Sequence, residues 1–398
     1  MSPLAVIAAT ATSACGLGLS ALRKALSEAR TGLRSNDFGP QPLPTFIGRV
    51  EGIEQAPLPA AWARWECRNN RLAWLALQQD GLLDVLRQSI ARYGADRVAL
   101  VMGTSTSSIG ASEEAYRRLD AAGDFPADLR RPIVHTPHSL GDFLQQACGI
   151  EGPAVTVATA CSSSAKVFAQ AARMIQSGIV DAALVGGVDT LCGSVLFGFN
   201  SLGLVSAQPC RPFDGRRDGL SLGEAGGYAL LERREPDQHP GPWLLGYGES
   251  SDAHHMSSPH PDGLGAKLCM QAALSRAGLP TEAVDYLNLH GTATPKNDEI
   301  EAAAVDALFT STTRASSTKG FTGHTLGAAG IVESVIALSA IETGLMPGTL
   351  NCEQADPNCG EQILLRNQTA KVRVVMNNSF GFGGNNCSLL FGAAAVPA

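Results

Sequence analysis

Residues 154–168 read AVTVATACSSSAKVF, an apolar run that delivers a cysteine to a turn and then begins an amphipathic pattern. Val155 and Val157 sit among small residues, as in a strand covered on both faces. Beyond the serines, Val167, Phe168, Ala171, Met174 and Ile175 fall on one helical stripe, and Gly178 is a stop signal. Cys161 is thereby predicted at a strand-to-helix turn, beside unpaired N–H groups and the positive end of a helix dipole, which favours thiolate over thiol. A buried structural cysteine fits the same stretch, because a thiol needs a partner base or acid before it is a catalyst.

Three further stretches offer partners. NLHGTATPKND (288–298) places His290 at the end of a strand. SSTKGFTGHTLGAAG (316–330) flanks a glycine turn with Lys319 and His324, and NNSFGFGGNN (377–386) folds glycines Gly381, Gly383 and Gly384 around Phe382. Taken singly these are a core histidine, a solvated lysine and a hairpin bend. Together, a cysteine at a helix start, two histidines at strand–turn junctions and a lysine five residues before the second histidine make one site.

The elements that must position this site read as alternating strands and helices. Strand candidates lie at 97–103, 153–160, 182–187, 227–232, 285–290 and 386–392, with helical patterns between them, as at 266–277 and 328–343. This is the pattern of an α/β protein with covered, parallel or mixed sheets. Residues 153–178 and 315–344 echo each other as strand, turn, helix and glycine, and the Pro-rich stretch 233–242 is the linker-like segment between them. The 398 residues suit two halves, set at 1–235 and 236–398.

Composition narrows the class. The chain is 44% hydrophobic and 17% charged with a formal net charge of −7, which argues against general nucleic-acid binding and requires an acidic partner to dock on a local basic patch. No apolar run reaches membrane-spanning length without polar interruption. The start MSPLAVIAATATSACGLG lacks a basic region before its apolar stretch and reads as a first strand rather than a signal peptide. The 10 cysteines show no metal-ligand or disulfide-framework spacing, and they suit a reducing cytoplasm.

With these motifs in order, the chain resembles the β-ketoacyl-acyl carrier protein synthases, elongating condensing enzymes of the thiolase fold. TACSSS resembles the nucleophile motif, HGTATPKND the first histidine motif, STKGFTGHTLGAAG the lysine and second histidine motif, and NSFGFGGNN the gating loop. RPFDGRRDGLSLGEAGG (211–227) and SSDAHHMSSPHPDG (250–263) are similar to further family signatures. The resemblance implies two similar α/β halves in a layered αβαβα core. It makes Cys161 the acyl acceptor and the backbone N–H groups of Cys161 and Phe382 the oxyanion donors. His290 and His324 become neutral donors to the enolate formed as malonyl thioester loses carbon dioxide. Lys319 would support His324 and pair with Glu333.

Around this centre, Thr106 in GTSTSSIG (103–110) is assigned to the acyl pocket with Phe199, and His135 and His138 are placed near its lining. Arg64, Arg68 and Arg71 share one face if their stretch is helical, and are assigned to docking of the acidic carrier protein. His254, His255 and His260 fit a closed metal site poorly, and neither metal nor other cofactor is expected. The expected partners are acyl- and malonyl-loaded carrier protein and a second subunit, either an identical copy or a related ketosynthase or chain-length factor. GTSTS and HMSSPHPDG look most like synthases of aryl polyene pathways, within a wider choice of fatty acid or polyketide elongation. Two other classes compete: a non-catalytic chain-length-factor-like subunit, which typically lacks the cysteine, and a thiolase or cysteine hydrolase.

Overall fold

Runs of small, β-branched and apolar residues become the strands of one central sheet in the computed structural model, which describes residues 1–395. The first half supplies β1 (Leu4–Thr12), β2 (Val98–Gly103), β3 (Ala154–Val157), β4 (Ala182–Asp189) and β5 (Ala225–Glu232). The second supplies β6 (Trp243–Ser251), β7 (Tyr286–Asn288), β8 (Arg314–Ser316), β9 (Val374–Gly381) and β10 (Asn385–Gly392). Across the sheet they run β8-β7-β9-β10-β6-β1-β5-β4-β2-β3.

That order is one pattern used twice. In the first half β2 pairs parallel with β3 and β4, β4 pairs antiparallel with β5, and β5 antiparallel with β1. In the second, β7 pairs parallel with β8 and β9, β9 antiparallel with β10, and β10 antiparallel with β6. The halves join where β1 meets β6 at Leu4↔Leu244 and Ala5↔Trp243.

The helices that matter here are α1 (Arg68–Leu77), α2 (Ser163–Gln176), α3 (Gly193–Ser201), α4 (Leu264–Ala277), α5 (Pro295–Leu308) and α6 (Ala329–Thr343). α2 follows β3 and α6 follows β8, so they hold equivalent places in the two halves. Both belong to the central core, together with side chains from β1, β4, β5, β9 and β10. Outside this layer, α1 packs in a second core with β2, β4 and β5, while α4 and α5 pack in a third with β7, β9 and β10. The layers therefore run helix, sheet, helix, sheet, helix.

Every residue of α6 from Ala329 to Ala340 is buried, as a helix apolar on all faces requires. The span Leu326–Thr343 is long and apolar enough to cross a membrane, but it lies inside the protein as half of the middle layer. The two central helices touch at their first turns. Ser164 Oγ accepts the Ile331 N–H at 2.9 Å, and a Cβ at Gly330 would stand 2.5 Å from the backbone nitrogen of Ala165. There is no space for a side chain at that crossing. Gly330→Val should destabilise the fold by about 1–3 kcal/mol or more through overpacking, seen as a lower denaturant midpoint; an unchanged midpoint would show that the helices can separate freely.

Candidate active site

After β3 the chain turns sharply. Ala160 has φ 52°, a left-handed conformation uncommon for a residue with a Cβ, and a short 3-10 turn (Ala160–Ser162) leads into α2. The serines following Cys161 hold this turn. Ser162 Oγ donates to Thr159 O at 2.9 Å, and Ser163 Oγ donates to Ala160 O at 2.6 Å while accepting the Thr159 N–H at 2.9 Å. The hydroxyls are thus the local partners of a buried strand-to-helix turn.

The bend between β9 and β10 closes over the thiol. The Phe382 backbone N–H faces the Cys161 thiol and favours its charged form, and the Phe382 ring stacks on Phe199 with centroids 5.5 Å apart. Gly381 lies against the Thr159 carbonyl. Gly383 N–H donates to Met256 O at 2.7 Å, and Gly384 O accepts the Asp252 N–H at 2.9 Å. The loop after β6, with its SSDAHHMSSPHPDG sequence, therefore carries the bend.

His324 Nε2 is 3.0 Å from Cys161 Sγ. The His290 ring stands nearly perpendicular to it, at 85° with centroids 5.3 Å apart. The Lys319 ammonium lies against His290 rather than His324: Nζ is 3.4 Å from His290 Nδ1 and donates to the His290 carbonyl and to Glu333. The pairing with Glu333 is as expected; the direct contact is with His290, and Lys319 reaches His324 through its charge. Lys319 enters on the short helix Lys319–Thr322, which points it toward the end of β7.

The end of β7 is bolted down by residues inside HGTATPKND and just beyond it that the sequence reading did not single out. Glu301 of α5 accepts the His290 N–H at 2.8 Å and the Gly291 N–H at 2.7 Å. Asp298, one turn earlier, accepts from Phe213 N at 2.8 Å and Ala293 N at 3.2 Å, and faces Arg217 at 3.8 Å. The signal was available: two acids three apart on one helix, directly after a histidine turn, lie on the same face. Arg217 also pairs with Asp356 at 2.7 Å and Glu299 at 3.1 Å, which accounts for the RPFDGRRDG segment.

Burial sets the protonation states. It holds both His290 and His324 well below the ordinary histidine value, and the Lys319 charge lowers them further, so both rings are neutral. Burial also pushes the Cys161 thiol up to about 12, against the opposing pull of Lys319 and the Phe382 N–H. This reverses the expectation of a favoured thiolate: desolvation outweighs the helix terminus, and the resting group is a thiol with an imidazole nitrogen in reach. Burial likewise raises Glu301 and Glu333 to about 7. The group opens on a cavity of about 340 Å³ lined by Cys161, His290, His324, Phe199, Phe382 and Thr292.

Other assignments fall elsewhere. Thr106 borders neither this cavity nor a neighbouring one of about 430 Å³, because its hydroxyl is captured by Asp189 at 2.7 Å. Its neighbours Ser107 and Ser108 line the second cavity instead. His135 is occupied by Ser112 at 2.9 Å and Leu129 O at 2.8 Å, and His138 by Thr156 at 2.7 Å. The three arginines do not share a helix face, since Arg64 lies in the 3-10 turn Ala60–Trp65 and α1 begins at Arg68. Arg68 is bidentate on buried Glu224 at 2.6 and 3.0 Å, and Arg71 binds Glu66 and, at 3.1 Å, the Glu54 carbonyl. Arg64 stays exposed, with its guanidinium 3.8 Å from the Trp65 ring centroid.

Two outcomes follow. Alkylation of Cys161 by iodoacetamide should keep rising with pH from 7 through 10, because a thiol near 12 stays mostly protonated there; a plateau by pH 7 would show a preformed thiolate. Arg68→Ala should cost about 3–5 kcal/mol in chemical denaturation, because it leaves Glu224 buried and unpaired; a loss under 1 kcal/mol would return Arg68 to the solvated surface.

Comparison with known proteins agrees with this geometry. Residues 66–237 match the family described as Beta-ketoacyl synthase, N-terminal domain, and residues 243–353 match Beta-ketoacyl synthase, C-terminal domain. A mitochondrial 3-oxoacyl-[acyl-carrier-protein] synthase of Arabidopsis thaliana is 42% identical over 262 residues, which are 61% of this chain and 57% of the relative. Nodulation protein E of Rhizobium meliloti (strain 1021) is 34% identical over 79% of both chains. Among solved structures, the complex of the ketosynthase ApeO with its chain length factor ApeC from Xenorhabdus doucetiae matches with a TM-score of 0.87, at 36% identity and 98% coverage of both chains. With a thiol, two neutral imidazoles and a glycine bend held as described, the chain belongs to the β-ketoacyl synthase family.

Proposed function

We propose that the protein is a β-ketoacyl-acyl carrier protein synthase that joins a Cys161-bound acyl chain to malonyl carrier protein. The observation that carries this reading is Cys161 Sγ held 3.0 Å from the neutral His324 imidazole. In loading, Sγ attacks the acyl thioester carbon as its proton passes to His324 Nε2 and on to the departing carrier thiol. The Cys161 and Phe382 N–H groups take the developing oxyanion. In condensation, the malonyl C–C bond breaks, carbon dioxide leaves, and the electron pair becomes an enolate whose oxygen receives hydrogen bonds from His290 and His324. The enolate carbon attacks the Cys161 acyl carbon, and the Cys161 thiolate departs. Burial, helped by the charge of Lys319 in its pair with Glu333, keeps the imidazoles neutral and able to donate through nitrogen.

The alternatives lose ground on particular residues. A chain-length-factor-like subunit has no use for a complete thiol and histidine set. A thiolase needs a second cysteine at the cavity, and Cys387 is instead buried in β10, in register with Ser379 and Glu249. The same reading divides the chain into halves 1–235 and 236–398, supported by the doubled strand order, and places the work in the cytoplasm, supported by 10 unbridged cysteines. Its pathway, read from GTSTS and HMSSPHPDG, is elongation of aryl polyene chains.

The second subunit is a chain of the same fold. β3 pairs on one side only among the described residues, and Ile109, Tyr116, Leu119 and Phe197 are exposed on the first half. An open strand edge and unpartnered apolar side chains suit a subunit interface.

His290→Ala and His324→Ala should each lower carbon dioxide release from malonyl carrier by roughly 10²–10³-fold, the usual cost of one oxyanion donor. Wild-type release in both variants would remove the proposed roles.

A further inference from the structure

Asp189, the last residue of β4, is fully buried and makes no ion pair among the described residues. Its carboxylate is nonetheless crowded with donors. Oδ1 accepts from Thr104 Oγ1 at 2.6 Å, Thr106 N at 2.9 Å and Thr106 Oγ1 at 2.7 Å. Oδ2 accepts from Ser105 N at 2.8 Å and Gly327 N at 2.6 Å. Charge-assisted bonds of this length are the strong ones.

These donors come from two places that matter separately. Residues 104–106 leave β2 and continue into Ser107 and Ser108, which wall the cavity of about 430 Å³ beside α3. Gly327 lies three residues beyond His324, in the turn before α6. His324 is fixed on its other side, where its N–H donates to Ser221 O at 2.7 Å and its carbonyl accepts the Gly223 N–H at 2.9 Å. Between His324 and Gly327 stands Leu326 at φ 57°, a strained conformation that persists only while its surroundings hold it. A Cβ at Gly327 would lie 2.6 Å from Asp189 Oδ2, so the turn is pressed directly onto the carboxylate.

We propose that Asp189 is a positioning residue of the condensation: one carboxylate clamps the His324 turn to the loop that walls the neighbouring cavity, fixing imidazole alignment and cavity shape together. It rests on the condensing reading of the Cys161 site. An asparagine has one acceptor oxygen, and its amide hydrogens would face the N–H donors of Ser105 or Gly327. The clamp opens on one side, and a misplacement of the order of 1 Å costs about 10²-fold. Asp189 also raises the Cys161 thiol by its charge, so its neutralisation moves thiol reactivity and turnover in opposite directions.

The test compares Asp189→Asn, Thr106→Val, their double variant and Cys161→Ala for condensation kcat and KM with acyl- and malonyl-carrier substrates, for Cys161 alkylation rate and for thermal stability. Asp189→Asn should lose roughly 10–100-fold in kcat with little change in KM, while Cys161 is alkylated no more slowly than in wild type. Thr106→Val, which removes one donor and keeps the shape, should lose a few-fold in kcat, and the double variant should match Asp189→Asn. Wild-type kcat in Asp189→Asn, parallel losses of alkylation and turnover, or multiplicative losses in the double variant would overturn the role. If Asp189→Asn does not fold, wild-type kcat in Thr106→Val overturns it alone. Retained turnover in Cys161→Ala would instead remove the condensing reading itself.

Discussion

The crossing of α2 and α6 at their first turns governs this structure. Both helices are buried between the two halves of the sheet, so neither can shift toward solvent to relieve a clash. At the crossing a Cβ on Gly330 would strike Ala165. The turn before α2 carries Cys161 and the turn leading to α6 follows His324, so the spacing of two helix starts becomes the 3.0 Å spacing of thiol and imidazole. The doubled topology reinforces it by exchange. The end of β9 lies against the Cys161 turn through Gly381, and the end of β4 lies against the turn before α6 through Asp189. Each half braces the reactive turn of the other.

Burial then decides the chemistry. In a low-dielectric site the charged forms of cysteine and histidine are both disfavoured, and one buried ammonium adds to the penalty on the imidazoles. The Lys319 charge is itself tolerated because Glu333 and the His290 carbonyl receive it. The result is a thiol, two neutral rings and a paired cation. In the proposed reaction such a set would accept a proton from sulfur when an acyl group arrives and donate to an enolate afterwards. The Phe382 ring, stacked on Phe199, lines the same cavity as the thiol, where in the proposed reaction it would shield an acyl thioester from water.

How much of this was legible in the sequence depends on range. The strand-to-helix turn at Cys161, the placement of His290 and His324 at turns and the glycine bend around Phe382 are local patterns, and each motif carries its own geometry. The echo between 153–178 and 315–344 was legible for the same reason, since both stretches have to make a strand, a tight turn and a buried helix. What was not legible depends on partners distant in sequence. Arg68 reads as a solvated cation until Glu224 is found buried beneath it. Thr106 reads as a pocket residue until Asp189 takes its hydroxyl. Lys319 sits five residues from His324 in sequence, yet a short helix turns it toward His290. The thiolate expectation failed on magnitude: a helix start is a partial charge, whereas complete burial removes all of the water that would solvate a full one.

The central claim is that Cys161 carries the growing chain. Incubation with an acyl-carrier thioester and no malonyl substrate, followed by intact-mass measurement and peptide mapping, addresses it directly. The account predicts one acyl mass on the peptide containing Cys161, absent in Cys161→Ala and discharged when malonyl carrier is added. An acyl mass on another of the cysteines, or one on Cys161 that malonyl carrier leaves in place, would contradict it.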